Sequence, residues 1–254
     1  MLKLRRFPRV VTSSVVASAV VATSLTFAAP AAQAIPQPPV NSIGNMQSPE
    51  RTQISVALPF GLRFGTANQH DSRPGLSMVK LYIGQYVVKH GEPGDIAKVS
   101  RMIASSDDNI ATQLYQKYPN AIQWAKDTYG LHDTHSASHW GNASTSTYDI
   151  VTFIEAVRVS DPVGPVMNGM RGKTAVAADG YTQDYGTATL PVVTGSKLGW
   201  SDDRNSFHAS ASFGPGFSVA AATNGSKEQH NQDVHGAIYG PAAGTLNSPA
   251  LPGF

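Results

Sequence analysis

The chain contains no cysteine among its 254 residues. Disulfide staples are therefore excluded, and so is an N-terminal lipid carried on a cysteine. Charge is also scarce, with Asp, Glu, Lys and Arg making up 14% of the residues. No Lys/Arg-rich run occurs beyond the first ten residues, so composition gives no reason to expect a nucleic acid or other polyanion as partner. Long apolar runs are missing from the rest of the chain. Nothing after residue 29 approaches the roughly 18 residues that a membrane-spanning helix needs.

The N-terminus itself is of a different kind. Lys3, Arg5, Arg6 and Arg9 stand without an acid, an apolar stretch runs from Val10 to Ala29, and Ala32-Gln33-Ala34 offers a small-x-small cleavage site. This pattern predicts a signal peptide over residues 1–34 and an exported, extracytoplasmic protein at the cell envelope, with an uncleaved anchor as the alternative. The whole chain has 19 Lys+Arg against 17 Asp+Glu; four of those bases lie in the leader, which leaves 15 against 17, a net of −2. The remaining residues, about 220, suit one domain that stands on its own core without staples.

Residues 35–51, rich in Pro, Asn, Gln and Ser, read as a flexible lead-in. Ile54 to Leu58 alternates as a strand does. Ser77 to His90 reads as a helix apolar nearly all round, hence buried, stopped by Gly91. Ile96 to Tyr118 gives one or two helices about a Ser/Asp cluster, and Ala121 to Tyr129 another ended by Gly130. Leu131 to Ser144 reads as a loop, and Ser146-x-x-Asp149 as a capping box for a helix from Tyr148 to Val159. After a further loop from Val176 to Pro191, three strands are expected at Val192–Gly199, Ser206–Phe213 and Phe217–Thr223. A short helix, Gln232 to Tyr239, and a tail over residues 241–254 close the chain. The order implies an α+β domain over residues 52–240, its antiparallel sheet flanked by helices.

Three short patterns carry chemistry. Ser77-Met78-Val79-Lys80 places a hydroxyl and an amine on one helix face. A serine needs a base to become nucleophilic, and a lysine can serve once burial lowers its pKa. Taken alone, however, S-x-x-K is an ordinary coincidence. Ser105-Ser106-Asp107-Asp108-Asn109 can be no more than a helix N-cap. Gly195-Ser196-Lys197-Leu198-Gly199-Trp200 can be an edge strand guarded by a lysine.

Taken in order, the set resembles the penicillin-binding proteins and class A β-lactamases, and more narrowly the compact β-lactamase-related proteins of actinobacteria, over residues 52–240. The resemblance implies a β-lactamase/transpeptidase-like fold and an acyl-serine mechanism. Ser77 would attack a carbonyl, Lys80 would take its proton, and Ser106 would relay a proton to the leaving group. Lys197 would add positive potential. The N–H groups of Ser77 and Trp200 would form an oxyanion hole, with Asp108, Leu198, Gly199 and Trp200 contacting substrate. A small peptide or β-lactam-like substrate follows, such as a D-alanyl peptide of peptidoglycan, with no cofactor.

Three departures qualify what the resemblance implies. Asp108 stands where the family motif has Asn, unless the register shifts to Asn109. Leu198 lacks the usual hydroxyl. No Glu-x-x-x-Asn setting for a deacylating base is found, because Glu155 lies inside the helix from Tyr148, and Asp127 and Asp133 have no such setting. These departures leave two rivals, a non-catalytic binder of wall or envelope partners and a Ser-Lys esterase. His132, His135 and His139 have metal-like spacing but no acid cluster beside them, so no metal is assigned.

Overall fold

Alanine and serine dominate the central strands, and their small side chains set how closely helices can approach. The computed structural model describes residues 46–240. Its five-stranded sheet has the order β2-β1-β7-β6-β5, antiparallel throughout. The strands are β1 (Thr52–Ala57), β2 (Arg63–Gly65), β5 (Gly195–Trp200), β6 (Phe207–Gly214) and β7 (Phe217–Asn224). A two-stranded ribbon of β3 (Arg73–Pro74) and β4 (Ser144–Thr145) stands apart from it.

One sheet face presents Ala209, Ala211, Phe213, Ala220 and Ala222 to the larger core. Against it lie α5 (Thr147–Ser160) and, at β5, α6 (Pro165–Arg171), while α1 (Lys80–His90), α2 (Pro93–Ala104), α3 (Asp108–Lys117) and α4 (Ala121–Tyr129) complete the helical layer. Helix α1 is its centre, with Leu81, Tyr82, Ile83 and Val87 fully buried. The other face carries Ile54, Val56, Val219 and Ala221, covered by Val234, Ala237 and Ile238 of α7 (Lys227–Tyr239). The expected α+β architecture, an antiparallel sheet flanked by helices, is the observed one.

Beside that smaller core runs a closed polar chain. Arg51 grips Asp233 with two nitrogens at 2.8 and 2.9 Å. Thr52 Oγ1 donates to Asp233 at 2.5 Å and lies 2.7 Å from Thr223 Oγ1. Thr223 Oγ1 is 2.8 Å from His230 Nδ1, whose Nε2 is 2.8 Å from Ser210 Oγ. Ser210 Oγ in turn accepts from the Thr187 N–H.

Several boundaries differ from expectation, each for a local reason. Within the segment expected as a flexible lead-in, Met46 is buried and its N–H donates to Gly65 O. Residues 1–45 and 241–254, including the predicted signal peptide and tail, lie outside the described residues. Ser77 does not open the α-helix but sits in a tighter 3-10 turn, Leu76–Val79, ahead of Lys80. Strand β5 starts at Gly195 rather than Val192, because Val192 has a left-handed backbone (φ 56). Helix α7 starts at Lys227, several residues early, on a complete capping box between Ser226 and Gln229. At α5 only half of the expected box forms. Ser146 accepts from the Asp149 N–H, while the Asp149 carboxylate turns to Thr134 and the Asp133 N–H. Helix α6 follows Gly164 with Pro165 in its first turn, a start favoured by proline's fixed φ.

Candidate active site

The turn bearing Ser77 is pressed onto the edge strand β5, and Gly199 makes the approach possible. A Cβ at Gly199 would lie 2.9 Å from Leu76 Cβ and 3.0 Å from Ser77 N. Edge position matters a second way. The Ser201 N–H donates to Phe207 O, and antiparallel alternation then turns the Trp200 N–H away from β6, toward the free edge. The Ser77 N–H lies in a first turn, where it has no intrahelical acceptor. Two backbone donors thus lie free on either side of one close contact.

Lys80 opens α1 and is fully buried. Its Nζ donates to Ser77 Oγ at 2.5 Å, to Asp108 Oδ1 at 2.5 Å and, more weakly, to Ser106 Oγ at 3.5 Å. It also lies 4.3 Å from the centroid of the Trp140 ring. Burial pushes the Lys80 pKa below its ordinary value, and the Asp108 charge and hydrogen bond pull against that shift. Lys197, also fully buried, has its Nζ 2.9 Å from Ser106 Oγ and donates to Leu198 O at 2.6 Å. Its pKa is driven well below the usual lysine range, by burial first and by the neighbouring Lys80 charge second.

Ser106 joins the two amines. It occupies the gap between α2 and α3 with a left-handed backbone (φ 53), a conformation disfavoured for a residue with a Cβ. Asp107 caps α3 by accepting from the Ile110 N–H. Asp108 follows as the first helical residue, so the register settles on Asp108 facing Lys80 rather than Asn109.

Above these groups opens a cleft of about 200 Å³ lined by Ser77, Asp108, Trp140, Asp179, Trp200 and Arg204, with Leu76, Gly141 and Asp202 at its margins. Two of the five non-glycine residues with left-handed backbone among the described residues (Leu76 and Arg204) border it, and a third, Ser106, lies beneath it on the two lysines. Such conformations cost on the order of 1–3 kcal/mol each and collect at functional sites. Trp200 is fixed by its indole N–H to Asp179 Oδ2 at 3.0 Å and by the Tyr181 ring at 4.8 Å.

Of the residues expected at the site, Ser77, Lys80, Ser106, Lys197 and Asp108 meet in one hydrogen-bonded group, with Trp200 on the cleft wall. Gly199 lies beneath as the point of close approach. Leu198 does not line the cleft. The pleat turns it to the face opposite Lys197, where it is fully buried. Glu155 is remote, held by Arg158 and Ser218, and Asp133 pairs with His70 and Ser146. His139 Nδ1 accepts from the Gly141 N–H and His135 pairs through its backbone with Ser144. Asp179, Tyr181 and Arg204 were not named as site residues; Asp179 and Arg204 line the cleft, and Tyr181 backs Trp200. Asp179 and Tyr181 sit in a loop without pattern, and Arg204 belongs to a turn, Ser201–Asn205, whose only signal was its position after β5.

Several solved structures share this fold. A penicillin-binding protein homologue from Mycobacterium tuberculosis matches at 17% identity and TM-score 0.56, over 85% of this chain and 98% of that one. A D-alanyl-D-alanine carboxypeptidase from the same organism matches at 15% identity and TM-score 0.52, over 74% and 86% of the two chains. A class A β-lactamase from Mycobacterium abscessus matches at 13% identity and TM-score 0.58, over 74% and 91%. The chain has the fold of the penicillin-recognising serine hydrolases. No protein-family model matches it, and no curated protein does. Among the described residues, no helix is long and apolar enough to cross a membrane.

Proposed function

We propose that the chain is an exported acyl-serine hydrolase of the penicillin-recognising type, with Ser77 as nucleophile and Lys80 as its base. The contact between Ser77 Oγ and the buried Lys80 Nζ, continued through Ser106 to Lys197, carries this reading. Attack by Ser77 Oγ on an acyl carbon forms the new C–O bond while the serine proton passes to a neutral Lys80. The resulting oxyanion faces the N–H groups of Ser77 and Trp200, a donor pair of which each member is typically worth about 2.7–4 kcal/mol. Ser106 then protonates the leaving amine, and Lys197 resupplies its proton.

The substrate class is a small peptide or amide, such as a D-alanyl peptide of peptidoglycan, in keeping with the names of the structural neighbours and the modest cleft. The leader supports export to the envelope. The carboxylates lining the cleft are Asp108, Asp179 and Asp202, with no glutamate among the described lining residues. A β-lactam should therefore acylate Ser77 and leave slowly.

Intact-protein mass after incubation with benzylpenicillin tests the reading, with Ser77→Ala in parallel. The expected result is one penicillin on the parent and none on the variant. Absence of an adduct, with activated esters also failing, defeats it. The Lys80–Asp108 ion pair favours the second reading, a non-catalytic binder of wall peptides that uses the same cleft, since a protonated Lys80 is no base.

A further inference from the structure

Two lysines, both without solvent contact, share one hydroxyl in this site, and their surroundings are unequal. Lys80 Nζ has the partners of an ammonium: Ser77 Oγ, Ser106 Oγ and a carboxylate oxygen of Asp108, with the face of Trp140 alongside. Three donors meet three acceptors, and the ring adds a cation–π contact. Lys197 Nζ has Ser106 Oγ and Leu198 O, and no carboxylate within ion-pair distance among the described residues. A buried ammonium without a counter-ion is among the most costly groups a protein can hold.

We propose that the pair holds a single positive charge, pinned on Lys80 by Asp108, and that Lys197 is the neutral amine. A neutral Lys197 donates one N–H to Leu198 O and offers its lone pair to the Ser106 O–H. Ser106 Oγ then remains free to accept from Lys80. Asp108, Asp179 and Asp107 bear on Lys80 as negative charges, whereas on Lys197 the positive charge of Lys80 outweighs the pull of Asp108 and Asp179; Asp202 and Arg204 face the same cleft. Only Asp108 among them makes direct contact with Lys80. The desolvation of both amines agrees in direction, more strongly for Lys197.

The kinetic consequence deepens the acyl-serine reading and rests on it. Before Ser77 can be deprotonated, the charge must move off Lys80. As Lys80 Nζ gives a proton to Ser106 Oγ, the Ser106 proton passes to Lys197 Nζ. Lys80 becomes neutral, Lys197 becomes the ammonium, and Ser106 is unchanged. Asp108 opposes this transfer, so it acts as a positioning residue that holds the site in a resting state.

Two measurements on the purified protein separate the layers. The first is NMR titration of the lysine Cε and Nζ signals in the parent and in Asp108→Asn. The expected outcome is a charged Lys80 and a neutral Lys197 at pH 8, with Lys80 titrating at lower pH once Asp108 is Asn. Two charged lysines, or a Lys80 unmoved by Asp108→Asn, overturn the proposal. The second is the rate of Ser77 labelling by a fluorophosphonate probe across pH. Asp108→Asn should raise the rate at pH 7 on the order of tenfold and shift the profile to lower pH. An unchanged profile in a labelled protein overturns the kinetic consequence. The expected titration with no labelling of either protein would sink the acyl-serine reading and leave the charge assignment standing.

Discussion

The molecule has two buried polar clusters on opposite faces of its sheet, built from much the same parts. Beneath α7, an acid, three hydroxyls and a histidine form a chain whose directions can be read outright. Thr52 donates to Asp233, so Thr223 donates to Thr52, and His230 donates from Nδ1 to Thr223. Its Nε2 then accepts from Ser210, which accepts from the Thr187 N–H. Every group is satisfied, and only Asp233, paired with Arg51, reaches the surface at all. Across the sheet, the Ser77–Lys80–Ser106–Lys197 group is equally dry at its base but opens upward into a cleft, and its charge has two places to be. Serine, histidine and aspartate in one buried chain do not make a reactive centre. Access, and a proton with somewhere to go, distinguish the second cluster from the first.

That contrast can be broken from either side. The largest effect is expected at Gly199→Ala, which drives a methyl against the Ser77 turn. Ser77 labelling should fall about a hundredfold, the scale of small misplacements of reacting groups, with a loss of stability of about 1–3 kcal/mol from the overpacked contact. On the far face, His230→Leu should leave labelling intact but cost about 3 kcal/mol in denaturant unfolding, because the Ser210 and Thr223 hydroxyls lose their partner. A loss of labelling in that variant would show the two clusters to be coupled through the sheet.

A smaller effect appears in the pH dependence of stability. Burial pushes the His230 pKa down to about 3 from an ordinary 6.5. Between those values the unfolded chain binds the proton and the folded one does not, so stability falls as pH drops through that window. Thermal unfolding between pH 7 and pH 4 should be less steep in His230→Gln than in the parent. Equal slopes would remove His230 as the cause.

The motif residues were legible because their chemistry depends on type and order. Ser77, Lys80, Ser106 and Lys197 could be paired from the sequence before any distance was known. Helix α4 and its end at Gly130, which has φ 66, were legible as local signals. What could not be read depends on contacts distant in sequence. The 3-10 turn at Ser77 exists because β5, more than a hundred residues later, presses on it at a glycine. The unequal surroundings of the two lysines follow from where Asp108 and Trp140 fold, and Leu198 lost its expected contact to the pleat of its strand. Asp179 and Tyr181 reach the cleft by holding Trp200 and, through Tyr181 Oη 2.8 Å from His208 Nε2, the sheet behind it.

The left-handed backbone at Ser106 sets stability and reactivity against each other at a single Cα. A glycine there would shed the steric penalty yet carry no hydroxyl, and an alanine would keep the penalty and also lack the hydroxyl. Ser106→Gly should therefore be more stable than Ser106→Ala by about 1 kcal/mol, and the proton path between the lysines should be severed in both. The parent serine thus holds its strained backbone in exchange for the one hydroxyl that touches both buried lysines, and glycine is the better of two silent replacements rather than an improvement on it.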